Sequence, residues 1–181
     1  MPEIYQPAED SYLLSESLEK SFANNKNKKD IDILEIGCGS GVQLQKLLEI
    51  GIKKENIFGA DVNDRAVEHC KKLGFNVVLS NLFSNIKGKY DLIIFNPPYL
   101  PEDKKEPKSS QIATTGGKKG GEIINRFLKQ AGKHLNKGGK IILLASSLTK
   151  GIDFAGYDKK PLAEKKLFFE ALYVLELIRS G

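Results

Sequence analysis

The sequence predicts an α/β fold built on a mostly parallel sheet, and three observations carry that prediction. Short apolar runs alternate with amphipathic segments between residues 31 and 95, a rhythm that sets parallel strands beside crossover helices. A glycine-rich turn, Glu35-Ile36-Gly37-Cys38-Gly39-Ser40-Gly41, joins the first such run to the first following helix. The mainly apolar run at 90–95 suits a strand buried on both faces, at the centre of the sheet.

Taken in order, Pro7-Ala8-Glu9-Asp10-Ser11 opens a helix, with Leu14, Leu18 and Phe22 at four-residue spacing and acidic groups at its positive end. Strands follow at 31–36, 56–60, 75–79 and 90–95, with helices at 41–49 and 64–72. After an irregular stretch at 100–119, Ile123, Phe127, Ala131 and Leu135 form one stripe of a helix at 121–135, which Asn136-Lys137-Gly138-Gly139 terminates. A fifth strand lies at 140–145. Two β-rich runs, 162–168 and 171–178, pair antiparallel at the far side of what is then a seven-stranded sheet with helices on both faces. Residues 146–160 are too polar and glycine-punctuated for a long helix, which leaves one face thinly covered.

A chain of 181 residues fits a single domain, 1–181, divided into an N-terminal helix and linker (1–29), a core (30–145) and C-terminal strands (146–181). Apolar residues at 40% and charged residues at 28% exclude a disordered chain. The net charge of +5 favours an acidic partner, but the lysines are dispersed, as on a solvated surface. Cys38 and Cys70 form no CxxC pair, and His69 and His134 add no ligand spacing, so no metal site is expected and both thiols are read as reduced. No leader pattern opens the chain and no segment is long and apolar enough to span a membrane, so a cytoplasmic protein is expected.

The glycine turn has the spacing Gly-x-Gly-x-Gly, with Val42 where a dinucleotide fingerprint needs its third glycine, so a smaller nucleoside ligand fits better. Glu35 would repel a diphosphate and attract an ammonium. Asp61, at the end of the second strand, can accept from both hydroxyls of a ribose, and Asn81, just after the third strand, either meets an adenine edge or serves as a turn residue. Gly37, Gly39, Gly41, Glu35 and Asp61 together describe a site for an adenosine with an amino-acid tail.

Asn96-Pro97-Pro98-Tyr99 follows the central strand directly, beside that crevice. The Asn96 side-chain carbonyl and the Pro97 backbone carbonyl can hold the two hydrogens of one NH2 group, and Tyr99 can stack on a planar acceptor. Such chemistry needs positioning rather than a strong base. It suits a protein amide and an exocyclic base amine equally.

With these residues in hand, the chain resembles the HemK family of protein glutamine N5-methyltransferases. Their hallmark is Asn-Pro-Pro-Tyr after the fourth strand of a class I, Rossmann-like, S-adenosyl-L-methionine-dependent domain. Tyr5-Gln6-Pro7-Ala8-Glu9-Asp10-Ser11-Tyr12-Leu13-Leu14 and Gly116-Gly117-Lys118-Lys119-Gly120-Gly121-Glu122 are similar to the short eukaryotic and archaeal branch. The resemblance implies methylation of the glutamine in the Gly-Gly-Gln motif of a class 1 translation release factor. It also implies that Ser11, Glu35, Gly37, Asp61, Asn81, Leu82 and Asn96 surround the cofactor, and that Asn96 and Pro97 present the substrate nitrogen. Members of this branch bind a small zinc-containing activator protein, which implies docking on the edge of the 75–79 strand. Two departures stand out: Asn81 replaces a usual acidic residue, and 146–160 lacks a helix common in relatives.

The alternatives are an adenine N6-methyltransferase on RNA or DNA, a protein lysine methyltransferase and a non-catalytic cofactor-binding scaffold. Absence of a dense arginine patch or an aromatic ladder weighs against free duplex binding. Lys104, Lys105, Lys108, Lys118 and Lys119 flank the substrate side and read as a solvated lid.

Overall fold

The computed structural model describes residues 4–25, 27–102 and 114–180. Its central sheet is ordered β3-β2-β1-β4-β7-β9-β8. The strands are β1 (Ile33–Ile36), β2 (Ile57–Asp61), β3 (Asn76–Leu79), β4 (Tyr90–Phe95), β7 (Leu135–Ser146), β8 (Tyr157–Lys166) and β9 (Ala171–Arg179). The first five are mutually parallel, and β9 runs antiparallel between β7 and β8. The seven-stranded, mostly parallel α/β sheet expected from the sequence is therefore present. A separate two-stranded piece pairs β5 (Leu100–Pro101) with β6 (Thr115–Gly117).

Helices α1 (Glu9–Phe22), α2 (Val42–Ile50) and α3 (Asp64–Lys72) cover one face, and α4 (Glu122–Ala131) covers the other. Alternation along the strands feeds two cores. Ile33, Ile57, Leu92, Ile94 and Ile142 meet Leu14, Leu18, Leu44 and Leu47 on the first face, while Leu34, Ile93, Ile141 and Leu143 meet Ile124, Phe127 and Leu128 on the second. Burying each such side chain contributes about 1.5–3 kcal/mol relative to leaving it in water.

Two expectations need correction. The helix expected at 121–135 ends at Ala131, a 3-10 turn spans Gly132–His134, and Leu135 pairs with Tyr90 as the first residue of β7. Asn136-Lys137-Gly138-Gly139 is a bulge in that strand, not a helix stop. The register jumps from Tyr90/Leu135 to Leu92/Lys140, with Gly138 at φ 79 and the Asn136 amide donating to Asp91 at 2.8 Å. The buried stripe of α4 accordingly runs through Ile124, not Ile123. The other correction concerns β8, which begins at Tyr157, before the expected 162. As an edge strand it exposes most of its length, so it carries no apolar alternation to read.

Residues 146–160 contain no helix, as expected. Hydrogen bonds attach this thin cover to α4: Asn125 donates to Gly151 O at 2.8 Å, Asp153 N donates to Asn125 at 2.8 Å, and the Tyr157 hydroxyl donates to Leu128 O at 2.9 Å. Lys104, Lys105 and Lys108 lie outside the described residues.

Candidate active site

Parallel register brings four chain segments to one edge. Ile36 lies opposite both Ala60 and Phe95, and Asp61 opposite Leu79, so the residues after β1, β2, β3 and β4 emerge together. The glycine turn then folds back with Gly37, Gly39 and Gly41 at φ 70, 49 and 76, a region that side chains disfavour. A Cβ at Gly41 would also stand 3.0 Å from Cys70 Sγ. Cys38 and Cys70 are free and buried.

Asp61 holds the turn in place. Its Oδ2 accepts from Gly39 N and its Oδ1 from Asn63 N, both at 2.8 Å. Burial pushes its carboxyl above the ordinary carboxylate range despite these bonds, and each carboxylate oxygen keeps accepting capacity for a further donor. Glu35, 2% exposed, is more extreme. Its Oε2 has no hydrogen-bond partner, and burial, followed by Cys70 and Asp61, holds its carboxyl well above the ordinary range. A buried acid lacking a partner beside a cavity is a place for a cation.

Asn96 is set by α1. Its Nδ2 donates to Asp10 Oδ2 at 3.0 Å, while Asp10 also accepts from the Tyr5 hydroxyl at 3.1 and 3.2 Å and from Ser11 N at 2.7 Å. A carboxylate can only accept, so this contact decides which way the amide is turned. The Asn96 Oδ1 is buried and without a partner.

A cavity of about 330 Å³ joins these groups, and Ser11, Glu35, Gly37, Gly39, Asp61, Asn81, Leu82, Asn96 and Pro97 all line it. Gly41 and Tyr99 do not. Gly41 acts one step back as the left-handed cap of α2. Tyr99 packs against the α1-side core, where burial, then Asp10 and Glu170, raises its hydroxyl. Leu82, at φ 52, is the one non-glycine residue with positive φ among those described, and the Ser80 hydroxyl holds its carbonyl at 2.8 Å. The Asn81 side-chain Oδ1 accepts from Arg126 at 3.2 Å.

Behind the 96–99 segment lies a second glycine cluster. A Cβ at Gly116 would come within 2.5 Å of Pro98 O, and one at Gly120 within 2.4 Å of Tyr99 O. The Gly116-to-Glu122 motif is thus a backbone buttress for Asn-Pro-Pro-Tyr. Glu122 closes it by accepting from Lys119 N at 3.0 Å.

Comparison with known proteins decides the family. The model of the methyltransferase small domain matches residues 9–153. The chain belongs to that family. It is 40% identical to a Methanocaldococcus jannaschii protein named for protein N5-glutamine methyltransferase activity, over 98% of this chain and 93% of that one. It is 30% identical to the mouse methyltransferase HEMK2, over 78% and 71% of the two chains. Among solved structures it is similar to the E. cuniculi Mtq2-Trm112 complex, which methylates the eRF1 translation termination factor, with a TM-score of 0.74, 27% identity and coverage of 97% and 98%.

This methyltransferase small domain is therefore an S-adenosylmethionine-dependent enzyme of the HemK type. Its cavity fits that cofactor: the orphaned Glu35 carboxyl suits the ammonium of the methionine tail, and Asp61 suits the ribose. Sequence reasoning missed Tyr5, Gln43, Phe95 and Arg126 as lining residues and assigned Asp10 only to the helix start. Asp10 gave no signal in the sequence, where an acid in a first helical turn is common; only its 3% exposure in the structure shows that it needs a partner.

Proposed function

We propose that this enzyme transfers a methyl group from S-adenosylmethionine to the side-chain amide nitrogen of the glutamine in the Gly-Gly-Gln motif of a translation release factor. One observation carries the reading: Asn96 lines the cavity with its Nδ2 bound to Asp10, leaving a buried Oδ1 with no partner. A planar amide NH2 supplies the donor this oxygen lacks. The names of the relatives support glutamine over lysine and adenine.

In this reading Glu35 binds the ammonium, Asp61 the ribose hydroxyls, and the turn at Asn81 and Leu82 borders the adenine. The bound cofactor supplies a methyl group already activated on a positively charged sulfur. Asn96 Oδ1 and the Pro97 carbonyl accept the two amide hydrogens and so fix the nitrogen's direction. Asp10 and Tyr5 keep the Asn96 amide from turning, and the buttress at Gly116 and Gly120 keeps the Pro98-Tyr99 backbone from retreating. Catalysis is then positioning within a shielded site, and no strong base is required.

The two sheet edges support a docked activator, and a small zinc-binding protein fits the reading. The β8 edge carries Lys159, Lys160, Pro161, Lys165 and Lys166, which discourage another strand from pairing. The β3 edge lacks such protection: Val78 and Leu79 are 37% and 50% exposed, with Val62 and Leu73 also exposed. An added strand on β3 would pair its free backbone groups and cover this apolar surface. No helix among the described residues is long and apolar enough to cross a membrane, and a cytoplasmic enzyme fits a release-factor substrate.

Incubation with labelled cofactor and, separately, a release factor, tRNA or duplex DNA tests the reading. Label on the release factor is expected, and label on nucleic acid alone would replace this substrate with a base amine.

A further inference from the structure

We infer that the tip of the β8–β9 hairpin is a docking wedge for the protein substrate, with Phe168 and Phe169 entering an apolar hollow on the folded surface around the acceptor glutamine. This inference rests on the release-factor reading above. Phe168 and Phe169 are 93% and 85% exposed, the most exposed large apolar side chains among the described residues. A pair of phenylalanines in water at one turn is unfavourable unless something covers it in use.

Topology sets the tip at the catalytic edge. β4 and β7 run parallel, β9 reverses, and β8 reverses again, so the chain leaves β8 on the same edge at which Asn96 leaves β4. Polar contacts root the tip in the active-site frame. Glu170 accepts from the Ser146 hydroxyl at 2.5 Å, and Thr149, beside that turn, donates to Tyr99 O at 2.9 Å. Lys165, just before the tip, pairs with Glu9, the neighbour of the Asp10 that holds Asn96. The negative charge of Glu170 also reaches the Tyr5 and Tyr99 hydroxyls.

The tip is also preorganised. Leu167 N donates to Glu170 O at 2.7 Å, closing a tight turn, and Leu167 itself packs on the α1-side core. The two rings meet edge to face, with centroids 4.7 Å apart and planes at 82°. The edge of one ring thereby occupies a face of the other, which suits a wedge among aliphatic side chains better than a platform for successive bases. A short acceptor peptide would reach Asn96 without touching this wedge, whereas a folded release factor would meet both.

The test compares Phe168→Ser/Phe169→Ser with Phe168→Leu/Phe169→Leu, in the enzyme assembled with its activator. Methylation rates are measured on intact release factor and on a short peptide containing Gly-Gly-Gln. The Ser pair is expected to raise KM for the intact factor about tenfold or more, as losing two buried aromatic anchors implies. Its kcat, cofactor affinity and activity on the peptide should be unchanged, and the Leu pair should recover most of the lost KM. An unchanged KM for the intact factor, or an equal loss on the peptide, overturns the wedge. A wild-type enzyme that leaves the release factor unlabelled overturns the substrate reading and this inference with it. Labelling by the wild type with no KM change in the Ser pair overturns the wedge alone.

Discussion

In the proposed reaction Asn96 and Asp10 act as a unit, because the hydrogen bond between them leaves the Asn96 Oδ1 without a partner and so open to substrate. Asn96→Ala is expected to lower kcat on the order of a hundredfold or more, as loss of one site-directed polar group commonly does. Cofactor binding, followed by calorimetry, should change little. Asp10→Ala should lower kcat less and leave KM for the cofactor nearly unchanged, since Asn96 is still present but free to turn. Equal rates for wild type and either variant would contradict these roles. Glu35 gives a pH prediction. Its carboxyl lies well above the ordinary range in the free protein, so below that raised value a cationic ligand must first displace a proton. Cofactor affinity should therefore rise as pH increases through the raised value, and Glu35→Gln should flatten the profile while weakening binding. For stability the sign is opposite: the folded state holds this proton more tightly than the unfolded chain, so the stability it contributes is complete at acidic pH. That stability declines as pH climbs from the unfolded to the folded value. Thermal melts of Glu35→Gln should lack this decline.

Strand and helix identities through 95 were readable because period and punctuation agree there: apolar β-branched runs, glycine turns and amphipathic helices point the same way. Legibility failed where one signal had two structural uses. Gly138 and Gly139 end helices in many proteins, but here they bend a strand that Leu135 has already begun. The start of β8 was illegible because an edge strand with lysines on both faces has no apolar period. That Glu35, Gly37, Gly39 and Asp61 share one cavity was legible, since they sit at strand ends on one edge of a parallel sheet. Its α1 half, Tyr5 and Asp10, was not, because the contact to Asn96 joins residues far apart in sequence. The exposed β3 edge carries its own prediction. Val78→Lys/Leu79→Lys should abolish association with the proposed activator in size-exclusion chromatography while leaving the isolated enzyme's fold intact, because both side chains are exposed. Undiminished association would place the activator elsewhere.

Among the described residues, three helices cover one face of the sheet, whereas α4, the turn around Phe83 and the 146–160 segment cover the other. With that asymmetry and an open apolar β3 edge, the proposed activator would add stability as well as activity. The melting temperature should rise with activator concentration, as mass action requires for a ligand of the folded state. The candidate site depends on the whole fold: β1, β2 and β4 bring the cavity-lining residues of the proposed cofactor site together, α1 turns Asn96, and the Gly116-to-Glu122 buttress supports it from behind. The central claim is that this assembly methylates one amide nitrogen. Its most direct test offers labelled cofactor and the activator-bound enzyme a release factor, and the same factor with the Gly-Gly-Gln glutamine replaced by alanine. Label on the first and none on the second is the predicted result; equal label on both would contradict it.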